Sequence, residues 1–250
     1  MLTHSERTQL AHSLCERMVR QYPDEILVGG VYGSTSRGTD TPWSDLEMWF
    51  VVSDGCPAQE QHLLYRDTAV GYRVYQRSEL ENILTTPSTR WPFHMGVLSE
   101  LQVLHGDPAR VQAWIEMGKA IPRPKFLAAL KAILPDLVVE SHGRIHSSLI
   151  RQEKHTLFPH VFEVLFEMLT ALCLLNQRWV RHDYFQGLEQ SFEFPKLPAG
   201  YQEIVPILYE ARDPNQTLVL ADRLVASYWD LLIQEGIRVR NYQNLAELPL

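Results

Sequence analysis

Two carboxylates, Asp45 and Glu47, stand two residues apart at the start of the apolar run "LEMWFVV". Side chains alternate along a strand, so both acids point to one face, with Cα atoms roughly 6.6 Å apart. Carboxylates that close repel each other unless a cation sits between them. Hard oxygen donors suit Mg2+, which binds through one or two carboxylates together with substrate phosphates. Trp49 and Val51 continue the acids' own face with bulky apolar side chains, while Leu46, Met48, Phe50 and Val52 turn to the other. A strand apolar on both faces is a buried one, which argues against simple solubilising charges at its mouth.

The stretch before it, "VYGSTSRGTDTPWS", ends a first apolar run in a small, hydroxyl-rich loop. Gly33 lets backbone N–H groups approach a ligand closely, and the Ser34 hydroxyl with successive amides makes an anion nest. Arg37 adds a charged donor suited to phosphate oxygens. A lone Gly-Ser reads equally well as a surface turn with a capping serine. The combination is more specific. A loop that cradles a triphosphate, followed by D-x-E at the head of the next strand, is a metal–nucleotide arrangement for in-line displacement at phosphorus.

These residues need elements to hold them. Thr3 and Glu6 form a T-x-x-E capping box for a helix with Leu10, Leu14, Met18 and Val19 on one face, broken at "YPDE". Residues 26–32 and 46–52 read as buried strands, and "SDGCP" as a turn. "HLLYRD" and "YRVYQR" read as a hairpin around "TAVG", with Ser78 capping a short helix behind it. "LQVLHGDP" reads as a strand ending in a turn, and Pro108 as the start of a helix. Near residue 122 the texture changes, and almost every pattern downstream is helical. Pro135 kinks or breaks the first of these patterns, and "FPHVFEVLFEMLTALCLLNQRW" is a long central helix. The expected fold is α+β. Residues 1–122 form a domain with a mixed β-sheet flanked by helices, and residues 123–250 form an all-α helical bundle.

Composition narrows the function. The net charge of −7 with no basic stripe argues against a nucleic-acid binder and favours a cationic partner. Three scattered cysteines give neither a disulfide framework nor a zinc knuckle. His142 and His146 are four residues apart but lack an HExxH context, so no zinc site is assigned to them. No apolar run reaches the ~18 residues that span a bilayer. The polar, amphipathic N-terminus lacks a signal-peptide core, and a cytoplasmic location is expected.

"VYGSTSRGTDTPWSDLEM" resembles the aminoglycoside 4'-nucleotidyltransferases, a branch of the polymerase-beta-like nucleotidyltransferases. The resemblance rests on V-Y-G-S, an arginine soon after, T-D, and P-aromatic-S-D-x-E-M. Thinner counterparts follow in "YRVYQRSELENIL", "RWPF", "PKFLAALKAILPDLVVESHGR" and "LPAGY". It implies that residues 1–122 are the nucleotidyltransferase domain and that residues 123–250 serve substrate binding and dimerisation. It further implies Mg2+ on Asp45 and Glu47, and ATP or another nucleoside triphosphate on Gly33, Ser34, Arg37 and Ser44. The acceptor implied is the 4'-hydroxyl of an aminoglycoside, and the assembly a homodimer whose active sites are shared between chains.

The resemblance assigns roles in the helical half as well. Asp136, Glu140 and Arg144 recur at i, i+4 and i+8, one stripe if the helix continues past Pro135. By residue type alone, Glu140 and Arg144 make an ordinary surface ion pair. The resemblance makes Glu140 the general base, Arg144 a contact to nucleotide phosphate in place of the more familiar lysine, and Asp136 a substrate-binding acid. Tyr75 departs from the pattern, standing where the family has a third acid that helps define the drug site. Two other functions fit the residues: transfer to a protein or RNA acceptor, and an inactive nucleotidyltransferase fold used for binding.

Overall fold

The structure is a computed structural model that describes residues 2–181 and 184–248. The chain divides into two compact units, Met1–Ile121 and Pro122–Leu250. The first begins with α1 (His4–Gln21), whose N-terminus carries the full reciprocal capping box between Thr3 and Glu6. Then come β1 (Ile26–Tyr32), the single-turn α2 (Gly33–Arg37), β2 (Leu46–Val52), β3 (Gln61–Tyr65) and β4 (Thr68–Gln76). The unit closes with α3 (Arg77–Thr85), α4 (Arg90–Glu100), β5 (Gln102–Gly106) and α5 (Pro108–Lys119).

The five strands form one sheet in the order β3-β4-β2-β1-β5. β2 and β4 run parallel, and every other neighbouring pair is antiparallel, so the sheet is mixed. β1 and β2 lie in its interior, and both are buried along almost their whole length. On one face Met48, Phe50 and Val52 pack against Ala11, Cys15 and Met18 of α1. On the other, the Trp49 ring lies 5.6 Å from His94 of α4. Helices on both faces account for the double-sided apolar pattern of these strands. Gly30 fits this crowding, because a Cβ there would stand 2.5 Å from the Gln102 carbonyl on β5.

Several local expectations change. The β3–β4 hairpin turns at Arg66 and Asp67, not at "TAVG", which lies inside β4. Both turn residues take positive φ, 47° and 59°, which matches a two-residue turn to the twist of its strands. Ser78 does not cap α3. Instead the Asp54 carboxylate, from the turn after β2, accepts the Ser78 amide at 2.8 Å. The "RWPF" segment, not read as an element, opens α4. Asp107 caps α5, with Pro108 at its first position.

Among the described residues the regular elements of the second unit are all helices: α6 (Arg123–Ile133), α7 (Val139–Ile150), α8 (Lys154–Asn176), α9 (Tyr184–Ser191), α10 (Tyr201–Glu210) and α11 (Pro214–Gln234), followed by an irregular stretch with a 3-10 turn at Leu245–Glu247. α8 is the hub, touching α6, α7, α9, α10 and α11. By length and composition, residues His155–Asn176 are apolar enough to cross a bilayer, contrary to the sequence expectation. A helix enclosed by five others needs such a surface, and 56% of its most apolar stretch is buried in the unit. The pattern around Pro135 is a break and not a kink. Residues 134–138 form a turn, Val138 takes φ 71°, and α7 starts afresh at Val139.

Candidate functional site

The mouth of β2 holds the acid pair. Asp45 lies just outside the strand and is exposed, and Glu47 is half-buried at its second position. Register places Glu47 opposite Tyr32, the last residue of β1, and beside Gly71 of β4. The chain then leaves β1 through Gly33 at φ 72°. A Cβ at Gly33 would stand 2.6 Å from the Glu47 carboxylate, so only glycine lets that carboxylate lie against the turn. The sheet thus brings the G-S turn and the D-x-E pair together. Asp45 and Glu47 line a cavity of about 380 Å³ with Tyr32, His62, Val70 and Arg73. Burial and the Glu47 charge push the Tyr32 phenol well above its usual range, while Arg73 pulls it back. Tyr32 is therefore a neutral donor over the cavity floor.

The connection into β2 is held from below. The buried Arg7 side chain of α1 pairs with Asp40 and donates to the carbonyls of Thr41 and Ser44, both at 3.0 Å. His4 reaches the same Asp40 at 2.6 Å. Ser44, expected at the nucleotide, accepts the Thr41 amide at 2.9 Å and so closes this turn. Arg37, expected at phosphate, donates to Glu100 of α4 at 2.5 Å and is only a quarter exposed. Among the described residues the Ser34 hydroxyl makes no hydrogen bond, and Ser34 directly follows the Gly33 turn against which Glu47 lies.

Tyr75 occupies the position where the family pattern has an acid. It is buried edge-on to Trp49 at 5.0 Å and to His94 at 5.1 Å. Burial lowers the His94 imidazole to about 4. Its Nδ1 lies 2.8 Å from the Arg90 carbonyl, which only accepts, so the ring is neutral with its proton on Nδ1. The Arg73 side chain also reaches Tyr75, so this buried position combines two ring contacts with one cationic donor.

In the helical unit, Glu140 sits in the first turn of α7 and is exposed. Arg144 donates to Glu140 at 2.7 Å and to Glu163 of α8 at 3.3 Å, and His160 lies 2.8 Å from the same Glu163. The i, i+4 pair expected from residue type is therefore formed. The three-residue stripe is not: Asp136 lies in the turn before α7, because the helix does not survive Pro135. What fixes Glu140 in place is Glu167 of α8. Its carboxylate accepts the Val138 amide at 2.7 Å and the Ser141 hydroxyl, and so caps the new helix.

Sequence reasoning passed over Arg7, Tyr32, Arg73 and Glu167. Tyr32 and Arg73 stand inside the quoted motifs, where strand register could have pointed to them. Arg7 and Glu167 carry no local signal, since their partners are remote in sequence. The donor set at β2 fits Mg2+: two carboxylates, one held against a glycine turn, at an open cavity.

No family model matches the chain. It is 25% identical over 209 residues to proteins named aminoglycoside nucleotidyltransferase (4') from a Bacillus species and from Staphylococcus aureus. Both alignments cover 82% of this chain and 80% of the relative. A solved nucleotidyltransferase-like protein from Exiguobacterium sibiricum shares the fold with a TM-score of 0.51 at 13% identity, over 92% of this chain and 77% of its own. The sequence relationship supports a nucleotidyltransferase role, and the structural likeness gives a nucleotidyltransferase-like fold.

Proposed function

We propose that this chain, a relative of the aminoglycoside nucleotidyltransferases (4'), transfers AMP from Mg-ATP to the 4'-hydroxyl of an aminoglycoside and releases pyrophosphate. The observation that carries the reading is the Glu47 carboxylate lying against the Gly33 turn, with Asp45 at its side. Mg2+ bound there supplies charge neutralisation along the triphosphate. Asp45 and Glu47 hold the metal. The amide nest at Gly33 and the Ser34 hydroxyl hold phosphate oxygens. Arg37 joins them only by leaving Glu100.

Glu140 takes the proton of the acceptor hydroxyl, whose oxygen attacks the α-phosphorus. Arg144 turns from Glu140 towards the nucleotide's phosphates in the same step, which frees the base. Most of the acceleration comes from alignment and from donors already in place. The acceptor is polycationic, and the exposed acids Asp136, Glu140 and Glu163 suit its ammonium groups. The assembly proposed is a symmetric homodimer in which one chain's carboxylate pair works with the partner's helical unit. The buried Tyr75, in place of an acid, shifts the drug range relative to the 4' enzymes.

The test is direct. The protein is incubated with ATP, Mg2+ and tobramycin, and the drug is weighed by mass spectrometry. An AMP adduct on the drug is expected. The absence of an adduct on tobramycin, kanamycin and amikacin alike sinks the proposal, and light scattering that gives a monomer sinks the shared-site part of it.

A further inference from the structure

α7 carries a second constellation on a face that the transfer reaction does not use. His142 and His146 lie one turn apart, with rings 5.0 Å between centroids and 81° between planes. Asp222 of α11 comes up between them. Its Oδ1 lies 2.7 Å from His142 Nε2 and 2.8 Å from His146 Nε2. All three potential donor atoms lie within 4.8 Å of one another. All three residues are half-buried, so an ion from solution reaches them. We propose that His142, His146 and Asp222 bind a borderline divalent cation of the Zn2+ class, separately from the Mg2+ carboxylates.

The chemistry selects the ion. Two imidazoles and one carboxylate suit Zn2+, Ni2+ or Cu2+, whereas Mg2+ prefers oxygen alone. Tetrahedral bonds of about 2.0–2.1 Å place donor atoms about 3.3 Å apart, so the hydrogen-bonded cluster opens by roughly half an ångström to admit the metal. In the hydrogen-bonded state both Nε2 atoms carry protons, because a carboxylate only accepts. A metal takes the Nε2 lone pair, so binding requires that neither Nε2 carry a proton. Three protein ligands leave one position for water.

An i, i+4 histidine pair with an aspartate could be no more than a hydrogen-bonded staple between helices. Convergence of both Nε2 atoms on one oxygen favours a common centre instead: a simple staple needs one imidazole, and the second adds a ligand. The site clamps α7 to α11. Since α7 also carries Glu140 and Arg144, the bound ion holds that helix in place. The inference stands independently of the transfer reaction.

The full-length chain, free of any histidine tag and stripped with chelator, is titrated with Zn2+ in excess Mg2+ by calorimetry. One Zn2+ per chain is expected, with X-ray absorption showing two imidazole nitrogens at about 2.0–2.1 Å. Melting rises by about 5–10 °C at a hundredfold excess over Kd. Asp222→Asn weakens binding at least about tenfold, and the double variant His142→Gln/His146→Gln abolishes it. Melts without Zn2+ show that both variants still fold. No uptake by the parent chain overturns the proposal. So does equal affinity in the double histidine variant, or loss of binding only when Asp45 and Glu47 are changed to Asn and Gln.

Discussion

The two halves of the proposed site are built in opposite ways. Asp45 and Glu47 stand at the end of an interior strand that is buried on both faces, and Arg7 pins the loop that leads to them. Glu140 and Arg144 stand exposed on a helix that starts after a proline break and that owes its cap to one carboxylate of the neighbouring helix. The first half is set before any ligand arrives. In the second, Glu140 and Arg144 are engaged with each other and would have to part. In the proposed reaction the carboxylates that would hold the metal sit on the rigid scaffold, and Glu140 and Arg144, which would have to rearrange, sit where side chains move at little cost.

The contrast can be broken by experiment, and the largest effect is expected at the rigid half. Glu47→Gln removes a metal ligand and should lower kcat/KM by more than ~10³-fold with the fold intact, checked by steady-state turnover beside circular dichroism. A loss of under tenfold would remove Glu47 from the metal site. Next is Arg7→Met, which leaves the buried Asp40 carboxylate, 1% exposed, with His4 as its one remaining ion-pair partner among the described residues. It should cost about 3–5 kcal/mol in urea denaturation, and turnover at low temperature should then report how much the acid pair depends on that loop.

His94 gives the pH dependence of the same half. Its imidazole stays neutral down to about 4, against an ordinary 6.5. Between those values the unfolded chain binds the extra proton and the folded chain does not. Stability therefore falls as pH drops through this window, by up to about 3 kcal/mol. In His94→Gln that component of the acid-side decline should vanish from melts recorded across the window. The smallest effect is expected at the exposed half. Glu140→Gln should lower kcat by about 10²-fold while ATP affinity stays within twofold, measured by single-turnover transfer and calorimetry. Unchanged turnover would show that another group takes the proton.

Much of the sheet was legible in the sequence because its signals are local. Residues 26–32 and 46–52 form strands because continuous apolar runs bounded by turn residues have few alternatives at that length. The capping box of α1 and the proline start of α5 are similarly self-contained. Misreadings fell where the outcome rests on remote partners. Ser78 looked like a cap, yet Asp54 supplies the acceptor from across a strand connection. The stripe from Asp136 to Arg144 depended on the helix surviving Pro135, yet Pro135 ends one helix and Glu167 caps the start of another.

The candidate site divides along the same line. Residue types and the spacing of Gly33, Ser34, Asp45 and Glu47 were enough to suggest metal-and-phosphate chemistry, because alternation along a strand ties spacing to direction. Only the tertiary structure decided that Glu47 lies against Gly33, that Arg37 is engaged with Glu100, and that Ser44 closes a turn held by Arg7. It alone brought Asp222 of α11 to the histidines of α7. Sequence spacing reports on neighbours within one element. A contact between elements depends on how faces pack, and the chain does not write that down at any single position.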